Sequence, residues 1–499
     1  MPKNLEEAIR AAGGAVPLLW SSQTPPSVVP RVPAEFSNWR DEQRSWREAA
    51  CLYDQSHHMV DLNLKGPEAL RLLSELGVNS FASFPVDTAK QFVAVNHDGA
   101  VIGDNILFHL DDDEFQLVGI PPSINWVHHH AASGRYDVTF WRDDNSAVRA
   151  GDPVVYRYQV QGPRAFDVVR AAIGAEPPQL RFFAMTHLTI AGRHVRALRH
   201  GMAGEPGFEL WGPWEDNQAV LEALLEAGAA FGLTRVGANA YHTNALESGW
   251  LPRPLPAIYS DVRLAGYREW LDDRAYETIS PLGGSFFSSD IRDYYFTPYD
   301  LGYGRIVRFD HDFVGRGALE RMVARGDDRA RAKVTLVWDG DDVARATGSL
   351  FHPGPGAKFL KLPMALYATF QYDRVTVDGR EIGRSTWTGY TANERAVLSL
   401  AVVDRAYAEP GTAVSVVWGE RPNSSKPQVE PHAQVTLRAT VQPAPISEFA
   451  RSRYRAAVPS YALDRTSPAA ARGRARTPCL RAGTSRHETG QENAVLPGP

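Results

Sequence analysis

Two cysteines in 499 residues, Cys51 and Cys479, are too few for a disulfide framework, and that scarcity fits a reducing, cytoplasmic setting. No Cys-X-X-Cys pair occurs, and no His, Asp, Glu or Cys stands at metal-site spacing around the adjacent His57 and His58, so no metal is expected. No apolar run approaches the roughly 18 residues that a membrane helix needs. The N-terminus, Met1 through Glu7, lacks the apolar core of a signal peptide and reads as a polar helix start. Glycine-rich segments such as Gly283-Gly284-Ser285 lack the spacing of a phosphate loop or a dinucleotide fingerprint. ATP, NAD and flavin chemistry are therefore not indicated.

The charge is also scarce and unevenly placed. From Arg451 onward stand nine arginines, no lysine and three acids, a charge of +6; the remainder therefore carries −11 of the net −5. An acidic body speaks against nucleic acid as the partner. The Arg-, Ala- and Pro-rich end, residues 448–499, has no apolar period and is expected to be a disordered tail.

What is present is globular: 43% of residues are hydrophobic and 22% charged, over a length that calls for more than one core. Alternating runs such as Gln91–Val95 before His97-Asp98-Gly99, and Arg157–Gln161 before Gly162-Pro163, read as strands. Pro67–Leu76, Pro163–Ile173 and Asn217–Ala229 have helical period, and proline is tolerated at the first turn of the first two. Strands and helices without regular βαβ alternation predict an α+β protein with antiparallel sheets. Beyond about residue 331 the chain turns strand-like, at Lys333–Trp338, Arg374–Val377 and Ala396–Val403, so a β-rich C-terminal domain of about 110 residues is expected.

Four stretches in order carry a resemblance: Tyr53–Met59 with Gly66-Pro67-Glu68-Ala69; Gly201–Leu210; Ala245–Gly249; and Leu301–Gly304 with Phe313–Leu319. Together they resemble the folate-dependent aminomethyltransferase family, the T-protein of glycine cleavage. Phe36–Arg40, the doubled His57-His58, Arg199–Gly204, Glu247–Trp250, Leu255–Tyr259 and Tyr267–Leu271 are more similar to its aromatic O-demethylases, which act on vanillate, syringate and 3-O-methylgallate. The resemblance implies a three-domain cloverleaf around a folate channel. Its first domain would comprise residues 1–65 and 150–255, its second 66–149 and 256–325, and its β-rich barrel or jelly roll 326–447. It also implies transfer of a methyl group from an aryl methyl ether to tetrahydrofolate, without a corrinoid intermediary.

Site residues follow from that resemblance. Glu209, on a strand whose other face shows Phe208 and Leu210, matches the glutamate that holds the pterin. Tyr241 matches the phenol of the demethylases, and its ordinary pKa near 10 suits a leaving phenolate. On a strand His57 and His58 would face opposite ways, and the resemblance puts His57 in the catalytic place with His58 on the substrate side. Asp104 reads as a folate contact or a turn cap, Trp250 as a stacking surface for substrate or pterin or as core, and Gln55 as a polar pocket wall. Gly204 belongs to the glycine turn beside the folate. His128-His129-His130 is read as the polar surface of a helix.

Two positions depart from the pattern. Ile120 stands where the vanillate enzyme carries the arginine that would clamp a carboxylate, and Ser27–Pro30 replaces a tyrosine. The substrate is then a neutral methoxyphenol or a benzoate anchored by a different cation. Rival readings are a methyltransferase with a sulfonium or amine donor, and a non-catalytic folate carrier. The oligomeric state is not legible.

Overall fold

The computed structural model describes residues 2–26, 29–420, 426–453 and 455. Ser27, Val28, Cys479 and most of the expected tail lie outside them. The chain opens with α1 (Leu5–Ala11), capped by the Asn4 side chain, which accepts from the Glu7 amide at 2.9 Å. Next come α2 (Ala15–Ser21) and α3 (Trp39–Glu48). The Phe36–Arg40 stretch is the start of α3. Asn38 accepts from the Arg40 amide, while the buried Glu42 carboxylate accepts from the amides of Phe36, Ser37 and Gly237.

There follow β1 (Ala50–Asp54), β2 (Val60–Lys65), α4 (Ala69–Leu76), β3 (Thr88–Val95), β4 (Val101–Asp111), β5 (Glu114–Gly119), α5 (Pro121–Ala131) and β6 (Thr139–Asp143). After them run β7 (Val155–Gln161), α6 (Ala165–Ile173), β8 (Met185–Ile190), β9 (Arg193–Arg199), β10 (Gly207–Pro213), α7 (Asn217–Ala229), β11 (Leu233–Val236), α8 (Ala238–Tyr241) and α9 (Asn244–Ser248). The first sheet has the order β11-β1-β7-β10-β9-β8, antiparallel except for the β1–β11 pair. The second has the order β3-β4-β5-β2-β6. β2 thus sits in the second sheet, and only β1 of the N-terminal strands joins the first.

Strand period explains the division of labour within the first sheet. Leu52, Tyr158, Val160, Phe208 and Leu210 share one face and pack under α6 and α7. Tyr53 lies opposite Gln159, and Gln159 opposite Glu209, so the other face carries a buried polar row. Phe108 and Val118 from the second sheet meet Leu198 and Trp211 from the first in a shared apolar cluster. That contact fixes how the polar face looks onto the second sheet.

Beyond the short β12 (Leu282–Gly283) come β13 (Arg331–Trp338), β14 (Phe370–Gln371), β15 (Asp373–Val377), β16 (Arg380–Thr391), β17 (Ala396–Asp404), β18 (Ala413–Trp418) and β19 (Val435–Pro443). Six of these close a barrel in the order β13-β17-β16-β15-β18-β19, with Trp338 and Trp418 packed inside at 5.6 Å. The β-rich expectation for this region is met by a closed barrel.

Three local expectations need correction. His57 and His58 lie in a turn between β1 and β2, not on a strand, so period-2 alternation does not govern them. The triple histidine is half-buried rather than a polar surface: His128 and His129 pack on Trp270 and His130 packs on Trp126, because residues 265–270 cover this side of α5. Burial pushes His130 down to about 4. The first residues of the supposed tail, Glu448–Ser452, form a helix in which Ala450 is buried. Ser447 starts it by accepting from the Ala450 amide. Among the described residues no helix is long and apolar enough to cross a membrane.

Candidate active site

Tyr241 ends α8, and its ring is held edge-on against Tyr53 of β1 at 5.1 Å. Its hydroxyl lies 2.9 Å from Nε2 of His58 and 3.3 Å from Nε2 of Gln55, which donates to it. Sδ of Met202 completes the contact at 2.7 Å from the same Gln55 nitrogen. Burial raises the Tyr241 pKa above the ordinary phenol value. Burial, aided by the Arg253 guanidinium, pushes His58 down to about 3. The pair is therefore a neutral phenol against a neutral imidazole, and the phenol donates to Nε2 when that nitrogen is unprotonated.

His57 points elsewhere. Its Nδ1 is 3.0 Å from Oγ of Ser146, its Nε2 is 4.0 Å from the Asp54 carboxylate, and its ring packs on Trp214. The turn after β1 rotates the two adjacent side chains into different environments.

A second polar group lies across the first sheet. Oε1 of Glu209 accepts from Nη1 of Arg157 at 2.6 Å, and both side chains are almost wholly buried. The other guanidinium nitrogen of Arg157 reaches Asp61 at 3.3 Å and Gln116 at 3.2 Å. Oε2 of Glu209 makes no hydrogen bond among the described residues. Tyr241 packs on Tyr53, which lies opposite Gln159 and through it in line with Glu209, so the two groups share one region of the fold.

Asp104, buried on β4, forms the third group. Its Oδ2 accepts from the Trp250 indole and the Tyr303 hydroxyl, each at 2.9 Å, and from Gln91. Burial raises its pKa against those hydrogen bonds. Lys333 of β13, also buried, acts on it electrostatically and is itself pushed down to about 8 by burial. Trp250 accordingly serves as a hydrogen-bond donor to Asp104.

Several buried polar atoms have no protein partner: Oδ1 of Asp104, Oε1 of Gln55, Nδ1 of His58, Oε1 of Gln159 and Nε2 of Gln161. Each such atom costs about 1–3 kcal/mol when left unsatisfied. These five lie on the polar face of the first sheet and beside it, and they offer both donors and acceptors, although unpartnered polar atoms also occur elsewhere among the described residues.

Residues 15–252 match the family described as GCVT N-terminal domain. The chain is 48% identical to a syringate O-demethylase of Sphingobium sp., over 91% of this chain and 98% of that one. The chain belongs to the aminomethyltransferase superfamily, in the branch that holds syringate O-demethylase. It is also 30% identical to a sesamin methylene transferase of Sinomonas sp., over 80% of this chain and 88% of the relative. The glycine cleavage system aminomethyltransferase T of Bartonella henselae shares its fold, with a TM-score of 0.57 at 18% identity, covering 86% of this chain and 95% of that one.

The superfamily motifs divide on this structure into site and scaffold. Glu247 of α9 is fully buried and accepts from Trp46 at 3.1 Å, Arg47 at 2.5 Å, Thr391 at 2.8 Å and Asn393 at 2.9 Å. It ties α3 to the barrel. Gly204 has φ +72°, and a Cβ there would lie 2.5 Å from Cβ of Ala450, so its bareness admits the C-terminal helix. Ile120 precedes α5; its carbonyl accepts from Asn105 at 3.2 Å, and its side chain offers no charge. Of Arg157, Asp61, Tyr303, Met202 and Lys333, the sequence reading covered all but Asp61 in its motifs and strands without giving any of them a role in the site. Met202 and Tyr303 stood in the family-like stretches, and Arg157 was a cation in phase with Gln159 and Gln161 on a strand.

Proposed function

We propose that this protein removes the methyl group of an aryl methyl ether and transfers it to tetrahydrofolate. The observation that carries the reading is the buried, neutral Tyr241–His58 pair, built beside Glu209 in a chain 48% identical to a syringate O-demethylase. In the reaction the methyl–oxygen bond breaks as a carbon–nitrogen bond forms at N5 of the folate. N5 gives up its proton, and the phenolate gains one, so the products are a phenol and 5-methyltetrahydrofolate.

Each polar group has a task in this reading. Glu209, oriented by Arg157, presents Oε2 to the donor edge of the pterin, and Asp104 presents Oδ1 near the reacting nitrogen. Tyr241 supplies the proton, or a strong hydrogen bond, to the departing oxygen. A general acid of this kind contributes about 10²- to 10⁴-fold in rate. His58 and Gln55 hold the phenolic hydroxyl in one orientation. Alignment of the two reactants can contribute on the order of 7–11 kcal/mol more.

The test is an anaerobic panel of syringate, vanillate, 3-O-methylgallate, guaiacol and an aliphatic sulfonium with tetrahydrofolate, scored for 5-methyltetrahydrofolate by mass. Product from at least one aryl ether is expected. Product from the sulfonium alone overturns the aromatic assignment. No product from any donor, with folate still bound, replaces the enzyme reading with a carrier.

A further inference from the structure

Two guanidinium groups lower the basicity of His58, those of Arg253 and Arg157. Arg157 is neutralised by Glu209 and Asp61. Arg253 is not. It sits in the irregular, proline-flanked Leu251–Pro256 segment, and its guanidinium lies 5.4 Å from the centre of the Trp387 ring. Among the described residues it makes no ion pair and no hydrogen bond. Arg253 is only partly buried, so a guanidinium with no protein anion beside it is open to an anionic ligand.

Its neighbours place that anion. Nε1 of Trp387 donates to the carbonyl of His242 at 3.0 Å, and the His242 and Trp387 rings lie 5.8 Å apart. His242 in turn packs against Tyr241 at 5.5 Å, and Tyr241 against His58 at 4.7 Å. The cation is thus joined to the proton donor by one row of rings. Nε2 of His242 is buried and has no partner. A planar guanidinium backed by an indole matches a flat aryl carboxylate, which it can engage with two parallel N–H donors. Ile120 supplies no charge on its side of the fold.

We infer that Arg253 is the anchor for the carboxylate of a methoxybenzoate substrate, taking the part that Ile120 cannot. This rests on the demethylase reading and names its substrate class: an anionic benzoate rather than a neutral methoxyphenol. The folate glutamate tail offers the same chemistry. The benzoate is chosen because the rings of Trp387 and His242 join Arg253 to Tyr241, the proton donor.

The experiment compares Arg253→Gln and Arg253→Lys with the wild type in the full chain. The substrates are syringate and its carboxylate-free analogue 2,6-dimethoxyphenol. The Gln variant is expected to raise KM for syringate at least tenfold, and to cut the preference for syringate over the neutral phenol by at least tenfold. Lysine recovers part of the preference. Equal losses on both substrates, or a rise confined to the KM of tetrahydrofolate, overturn the assignment. If the Gln variant does not fold, the Lys variant decides, because it keeps the charge and loses the fork; a KM rise specific to syringate supports the anchor, and an unchanged KM overturns it. If the wild type demethylates no aryl ether, the parent reading fails, and syringate binding followed by tryptophan fluorescence decides on Arg253 separately. A tenfold weaker Kd in the variant upholds the anion site; equal binding, or none to the wild type, overturns it.

Discussion

The hydroxyl of Tyr241 lies 2.9 Å from Nε2 of His58, although 183 residues separate them in the chain. Burial raises the pKa of the phenol and lowers that of the imidazole, so both partners are uncharged at neutral pH. In the proposed reaction Tyr241 then offers the departing phenolate a hydrogen bond from an uncharged donor, and its raised pKa favours sharing the proton over giving it up.

Removal of that hydroxyl is the most direct check. Tyr241→Phe is expected to lower kcat by about 10²-fold or more, the range of a lost general acid. Binding of tetrahydrofolate, measured by calorimetry, should change less than about twofold, since a ring of the same shape remains.

The two adjacent histidines make opposite predictions. His58→Ala should reduce kcat by roughly 10²-fold, because it removes the partner of the phenol. His57→Ala, which breaks the contact with Ser146, should cost at most a few-fold. Steady-state kinetics on both variants check this, and the reverse order returns the catalytic role to His57.

Arg157 offers a stability test. Arg157→Met leaves Glu209 and Asp61 buried without their cation and should destabilise the fold by about 3–5 kcal/mol. Adding Glu209→Gln and Asp61→Asn to Arg157→Met should recover a good part of that loss. Denaturant unfolding of the single and triple variants reads the difference.

The neutral burial of His58 also predicts a pH dependence. Its folded pKa, about 3, lies below the ordinary value of 6.5. The unfolded chain therefore takes up the proton first as pH falls. The contribution of His58 is full above pH 6.5 and is lost progressively toward pH 3. A stability gap between wild type and His58→Gln should narrow on going from pH 6.5 to 4.5, by on the order of 2 kcal/mol. Thermal unfolding of the two proteins across that range provides the check, and a constant gap counts against a neutral His58.

The chain by itself determined the kinds of elements and the face that carries chemistry. Period-2 alternation in Gly207–Pro213 placed Glu209 opposite Phe208 and Leu210, and the fold keeps that division because strand geometry is local. The helix Asn217–Ala229 begins and ends where its period predicts, for the same reason. The tertiary structure decided everything that depends on rotation or on long-range contact. A turn, not a strand, carries His57 and His58, so two neighbours of equal chemistry part company. Arg157 becomes the partner of Glu209 only through the pairing of β7 with β10. Arg253 meets Trp387 across 134 positions of chain, a relation that no periodicity encodes. Local backbone preference is written residue by residue, whereas pairings of charge depend on where the chain returns, and that is set by the packing of two sheets and a barrel.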